Sequence, residues 1–165
     1  MRVLGIDASL RSTGLAVIES RGVALSVVTH RVVRVRADRP VSECLVAILR
    51  GVRDALDTGR PDVAAIESAF YFKNARTAMA LGQARGVAIA CCAERGLPVY
   101  EYAPRRAKQS VVGFGGAEKE QVQRMTMRMF GLQEPLPADA SDAAAIAVCH
   151  LHSLSAYAAL RSQSI

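Results

Sequence analysis

The chain has 165 residues, 51% of them hydrophobic, and 21 basic against 15 acidic side chains give a net charge of +6. That length suits one domain with a substantial core and leaves too little for two, so a single unit over residues 1–165 is expected. No apolar run reaches the roughly 18 residues of a membrane span, and "MRVLGID" is too short for a secretory leader. A cytoplasmic chain with no membrane partner is expected.

"RVLGID" is a short apolar run ending in Asp7, the pattern of a buried strand. "TGLAVIES" follows after a turn, and "VALSVVTHRVVRVRA" alternates apolar and polar through Ala37. The three predict an antiparallel meander whose second strand starts at Gly14. Pro40 and Ser42 open a helical pattern through Val41, Leu45, Ile48, Leu49, Val52 and Leu56, closed near Gly59. "PDVAAIES" is another buried strand, and it ends in Glu67. A long helix from Lys73 to Arg95 is stopped by Gly96 and Pro98. "VYEYA" is a fifth strand, followed by a helix over Ala103 to Val112, a "GFGG" loop and an amphipathic helix from Glu118 to Phe130. The linker "QEPLPA" leads into a last, alanine-rich helix. The order predicts an α/β fold, a mixed five-stranded sheet flanked by helices, with some strands made parallel by crossovers.

Cys44, Cys91, Cys92 and Cys149 have no metal-binding spacing and read as small core residues of a reducing compartment. His150 and His152 stand two apart, a spacing that splays ligands on a helix. The acids are more telling. Asp7 and Glu67 close apolar strands, where an acid adds nothing to a core, and strand carboxyl ends are where ligands gather in such sheets. Asp139 and Asp142 are three apart at a helix start, so they share one face. Either could cap backbone N–H groups or suit the helix dipole. If that face covers the two strand ends, four carboxylates converge. Two carboxylates about 4 Å apart repel by about 4 kcal/mol at an effective dielectric near 20, a cost that divalent cations remove. Oxygen ligands without Cys or His favour Mg²⁺ or Mn²⁺. Two such ions can activate a water and stabilise the leaving oxygen of a phosphodiester. With four acids in one pocket, 21 bases face 11 remaining acids, which leaves a surface charge of +10 and suits a polyanion.

"GID…STGLAVIE", "KNARTAMALGQARGVAIA", "EYAPRRAKQSVVGFGGAEKEQV" and "ADASDAAAIA" occur in this order along nearly the whole chain. Together they resemble the bacterial RuvC Holliday-junction resolvases of the ribonuclease H-like superfamily. The resemblance implies that Asp7, Glu67, Asp139 and Asp142 are metal-binding catalytic acids for two Mg²⁺ per subunit, with Mn²⁺ as a substitute. It implies a four-way DNA junction as substrate, and the RuvA–RuvB branch-migration complex as a partner. It also implies a homodimer through the helix 73–95. In one place the chain departs from the family pattern: Ala8 and Ser9 stand where a Pro-Gly pair usually follows "GID".

Around the acids, Lys108 and Lys119 bracket "SVVGFGG" and could each reach a phosphate or simply be solvated; the resemblance places them near the scissile phosphate. Arg105 and Arg106 add charge on the same side. Gly113, Gly115 and Gly116 resemble a phosphate-cradling loop, though three glycines in a turn are a weak signal. Phe70, Tyr71 and Phe72 precede Lys73, a cluster of three among eight aromatics in the chain. They suit a core or, for Phe70, the family position whose ring stacks at the junction centre. Gly82 and Gly86 lie on one helix face and mark a close backbone approach, either to the protein's own sheet or to a second subunit. Two other function classes fit parts of the pattern. "GIDASLRSTG" also suits the phosphate turn of actin-like kinases and ATPases, which need a second such domain. A catalytically silent nucleic-acid-binding module would have no use for four acids.

Overall fold

Val3, Leu4 and Ile6 exclude water completely, and the strand that carries them is the middle of the sheet. The computed structural model describes residues 1–68 and 74–156. β1 (Arg2–Asp7) pairs antiparallel with β2 (Ser12–Arg21), which pairs antiparallel with β3 (Ala24–Arg34). Helix α1 (Val41–Gly59) then crosses over, so that β4 (Val63–Glu67) lies parallel to β1 on its other side. Helix α2 (Ala75–Glu94) makes a second crossover to β5 (Val99–Tyr102), parallel to β4. The strand order is β3-β2-β1-β4-β5, the mixed five-stranded sheet expected from the sequence.

Alternation along the strands divides the core. Leu4, Ile6, Leu15 and Ile66 pack with Ile48 and Val52 of α1 and Ala84 and Ala88 of α2. Val3, Ala16, Ile18 and Ala65 pack on the other face against α5 (Ala138–Ala156) and Ala107 of α3 (Pro104–Val112). Helix α4 (Lys119–Met129) docks on α5 through Val122 and Val148.

The alanines of α5 have a specific partner. A Cβ on Gly5 would stand 1.9 Å from the Ala143 carbonyl oxygen, and one on Gly14 would stand 1.9 Å from that of Asp139. The helix backbone therefore rests directly on β1 and β2, with Ala140, Ala143 and Ala147 fully buried between them. Gly14→Ala pushes the first turn of α5 off the sheet. Overpacking of this kind costs about 1–3 kcal/mol or more. In a chain of this size each kcal/mol lowers the melting temperature by roughly 2–4 °C. A thermal melt of Gly14→Ala that overlays the parent would refute this contact.

Among the boundaries that differ from expectation, three have a clear local cause. β2 begins at Ser12 rather than Gly14, because Thr13, wholly buried, satisfies its hydroxyl locally and can sit in the ladder opposite Val33. β3 ends at Arg34, not Ala37: the Arg11 guanidinium donates to the carbonyls of Arg36 and Arg39 and bends the chain toward α1. α2 begins at Ala75, where the Asn74 side chain accepts from the Arg76 N–H at 2.9 Å.

Gly82 and Gly86 do not face the sheet. A Cβ on either meets nothing within 4 Å, and the inward positions of α2 are Ala84, Arg85, Ala88, Cys91 and Cys92. The glycines lie on an outward row with exposed Met79. The four cysteines are free thiols in the core, Cys92 pushed up to about 12 and Cys149 to about 11 chiefly by burial. His150 is also a core residue, its Nδ1 2.8 Å from the Tyr102 hydroxyl, whereas His152 is exposed, so the two do not share a site. Among the described residues no helix is long and apolar enough to cross a membrane.

Candidate metal centre

Asp7 and Glu67 are the last residues of two adjacent parallel strands, one step beyond the Ile6–Ile66 pair. Ile6 and Ile66 point toward α1 and α2, so alternation turns both acids toward α5. The first turns of α5 supply Asp139 and Asp142. Carboxylate oxygens of Asp7, Asp139 and Asp142 all lie within 4.8 Å of one another, the one such group of potential ligands among the described residues. Glu67 stands at the edge of that triplet. It lines a cleft of about 230 Å³ with Asp7, Asp142, Lys108 and Lys119.

The crowding has an electrostatic signature. Asp7 is pushed up from 3.8 to about 7, first by burial, then by the Glu67 and Asp142 carboxylates, with Lys119 pulling the other way. Burial also raises Glu67, again helped by Asp142, while Arg85, Lys108 and Lys119 oppose the rise. Lys119, the first residue of α4, places Nζ 2.9 Å from Asp142 Oδ2 and 3.6 Å from Asp139 Oδ1. That contact holds its ammonium above its usual range. One ammonium faces a group of several carboxylates. The donors are hard oxygens without thiol or imidazole, and they fit Mg²⁺ or Mn²⁺.

The other expected residues have distinct settings. Lys108 lines the cleft and donates to the Ala117 carbonyl at 2.8 Å, which ties it to the loop before α4. Arg106 lies 5.5 Å over the Tyr102 ring, and Arg105 is exposed. The glycine loop has local reasons for its composition. Gly113 adopts φ +90° at the end of α3, and a Cβ on Gly115 would press on the Arg105 carbonyl at 3.0 Å. Asp139 is not a helix cap; its carboxylate accepts from the Ser12 hydroxyl at 2.5 Å. Phe70, Tyr71, Phe72 and Lys73 lie outside the described residues.

Three contributors escaped the sequence. Ser12 reads as an ordinary turn residue, and only the register of β2 on β3 brings it to Asp139. Buried Arg85 pairs with half-buried Glu101 between α2 and β5, just behind the end of β4. Charge is also unevenly spread. Arg31, Arg39, Arg53 and Arg95 are paired with acids of α1 or α2. By contrast α3 and α4 carry Arg105, Arg106, Lys108, Lys119, Arg124 and Arg128 against Glu120 alone.

A model of the family described as crossover junction endodeoxyribonuclease RuvC matches residues 3–150. The chain belongs to the RuvC family. It is 49% identical over 152 residues to the RuvC of Hahella chejuensis, covering 92% of this chain and 88% of that one. It is 44% identical over 153 residues to the RuvC of Chloroflexus aggregans, covering 92% and 93%. Among solved structures, T. thermophilus RuvC in complex with Holliday junction substrate superposes with a TM-score of 0.89 at 31% identity, over 100% of this chain and 99% of that one. The yeast mitochondrial Holliday junction resolvase Ydc2 shares the fold, with a TM-score of 0.59 at 14% identity over 90% and 78%. RuvC-family membership leaves no room for the kinase or ATPase reading.

Proposed function

We propose that this RuvC-family chain is a structure-selective endodeoxyribonuclease that resolves four-way DNA junctions by paired symmetric nicks. The observation that carries the proposal is the carboxylate cluster at the strand ends, set in a cleft flanked by two lysines. A silent binding module has no use for carboxylates packed this closely at the ends of buried strands.

Asp7, Glu67, Asp139 and Asp142 would hold two divalent cations, Mg²⁺ with Mn²⁺ as substitute. When bound, such ions supply an activated water and charge stabilisation at the leaving oxygen. The chain does the rest. The Asp139–Asp142 turn, pressed on Gly14, fixes the ligands against the strand ends. Lys119 and Lys108, at the cleft wall, neutralise charge that builds on the phosphate in the transition state. Arg105, Arg106 and Lys73 hold backbone phosphates, a term shared by duplex and junction that contributes roughly −0.9 to the log–log salt slope per phosphate.

Junction selectivity then belongs to shape and to Phe70, whose ring stacks at the exchange point. Paired nicks need paired sites, and the outward row of Gly82 and Gly86 supports a twofold dimer through the helix 73–95. The setting is the cytoplasm, with RuvA–RuvB delivering the junction. Single-turnover cleavage of a synthetic four-way junction and of linear duplex, at saturating protein and across a salt series, tests the proposal. The expected result is paired cleavage of the junction alone. Phe70→Ala cleaves it more slowly with an unchanged salt slope. Equal cutting of both substrates, or normal cutting by Phe70→Ala, would overturn the selectivity reading.

A further inference from the structure

The turn after Asp7 lacks the family's Pro-Gly, and the chain closes it by other means. Thr13 Oγ1 donates to the Ser9 carbonyl at 2.6 Å and accepts from the Ser9 N–H at 3.3 Å. This clamp starts β2 two residues early and brings Ser12 and Gly14, which share a face of the strand, onto α5. Gly14 packs on the backbone carbonyl of Asp139, Thr13 is buried in the clamp, and Ser12 donates its hydroxyl to Asp139 Oδ2. Asp139 is thereby fixed twice, at its backbone and at one carboxylate oxygen. The other oxygen, Oδ1, is the one turned toward Lys119 and hence toward Asp142.

From this geometry we infer that Ser12 is a positioning residue: by occupying Oδ2 it presents Asp139 to a cation through Oδ1 alone and so biases the centre toward small octahedral ions. The inference rests on the four-acid metal centre proposed above. A hydroxyl bonded to an ionised carboxylate makes one of the stronger neutral-donor contacts in proteins. Mg²⁺ and Mn²⁺ suit six-coordinate sites with carboxylates that each give one oxygen, whereas Ca²⁺ accepts both oxygens of a carboxylate and more ligands. A hydroxyl that ties up one oxygen of Asp139 works against Ca²⁺ and for the smaller ions. Partners one layer behind the ligands commonly set metal affinity by 10- to 100-fold.

The test is Mn²⁺ binding to the full-length protein without DNA, followed by electron paramagnetic resonance and by Ca²⁺ competition. Ser12→Thr and Ser12→Val are compared, since they share a shape suited to a strand and differ in the hydroxyl. Asp139→Asn serves as the control for the centre itself. Ser12→Val is expected to weaken Mn²⁺ by about 10-fold or more and to narrow the preference for Mn²⁺ over Ca²⁺. Ser12→Thr is expected to retain both. If Ser12→Val keeps the parent affinity and ion preference while Asp139→Asn loses Mn²⁺, Ser12 has no positioning role. If Asp139→Asn also binds Mn²⁺ as the parent does, the metal centre itself is misassigned. Equal losses in the Thr and Val variants mean that shape, not the hydroxyl, matters, and this too overturns the inference.

Discussion

Asp7→Asn abolishes junction cleavage and leaves junction binding intact. Asp7 is pushed up first by burial and then by the Glu67 and Asp142 carboxylates around it. An amide oxygen carries no charge to hold a divalent cation, so the reaction loses its activated water. The expected fall is about 10³-fold or more, the equivalent of roughly 4 kcal/mol of barrier. On the function proposed above, DNA affinity would rest on the bases of α3 and α4, which the substitution does not touch. The same variant alters the pH dependence of the metal-free fold. Asp7 titrates near 7 in the folded chain against an ordinary value of 3.8, so folding favours its protonated form. That contribution is complete below about pH 4 and is lost as pH rises through about 7. In a chelator, the parent melts lower at pH 8 than at pH 5 relative to Asp7→Asn, and Mn²⁺ at pH 8 raises the parent more than the variant. Near-parental cleavage by Asp7→Asn in Mg²⁺ would sink the assignment, and equal pH profiles would remove the crowding argument.

Lys119→Ala moves metal binding and catalysis in opposite directions. In the folded chain the ammonium sits between Asp142 and Asp139, where it serves as a counter-ion to the cluster. Its side chain is 57% exposed, so the pair has the modest strength of a surface contact, about 0.2–1 kcal/mol. Removing it frees two carboxylates and tightens Mn²⁺ binding by up to about fivefold. Cleavage nevertheless falls by roughly 10²–10³-fold, the usual cost of losing one preorganised charge beside a reacting centre. The two measurements are Mn²⁺ titration without DNA and single-turnover cleavage at saturating metal. Weaker metal binding in Lys119→Ala would mean that the lysine supports the cluster instead of competing for it.

The strand ends are legible in the sequence because an acid that closes an apolar run adds nothing to a core, and only chemistry at the strand end gives it a use. Asp7 and Glu67 mark their own places in that way. The 139/142 spacing is legible for the same kind of reason, as a shared helix face. Ser12 is not, because a serine in a polar turn signals nothing until β2 is registered on β3 and α5 is laid across Gly14. The alanine richness of α5 signals burial, but its cause lies in two glycines more than a hundred residues away along the chain. Gly82 and Gly86 lie on the outward face of α2, a direction that their spacing alone does not give. Arg85 reads as a polar face residue of α2, yet it is buried against Glu101. Each of these depends on which element packs on which, and tertiary contact overrides local pattern there.

The contrast between the paired arginines around α1 and α2 and the excess of bases on α3 and α4, of which Lys119 is tied to Asp139 and Asp142, makes the molecule electrically lopsided. Its field reaches past contact distance, over a screening length of about 8 Å at physiological ionic strength. An approaching duplex feels a torque before it touches, and the protein turns its cleft toward the polymer while still in solution. Salt then acts first on how often encounters are productive, and the neutralised back of the molecule drops out of the search.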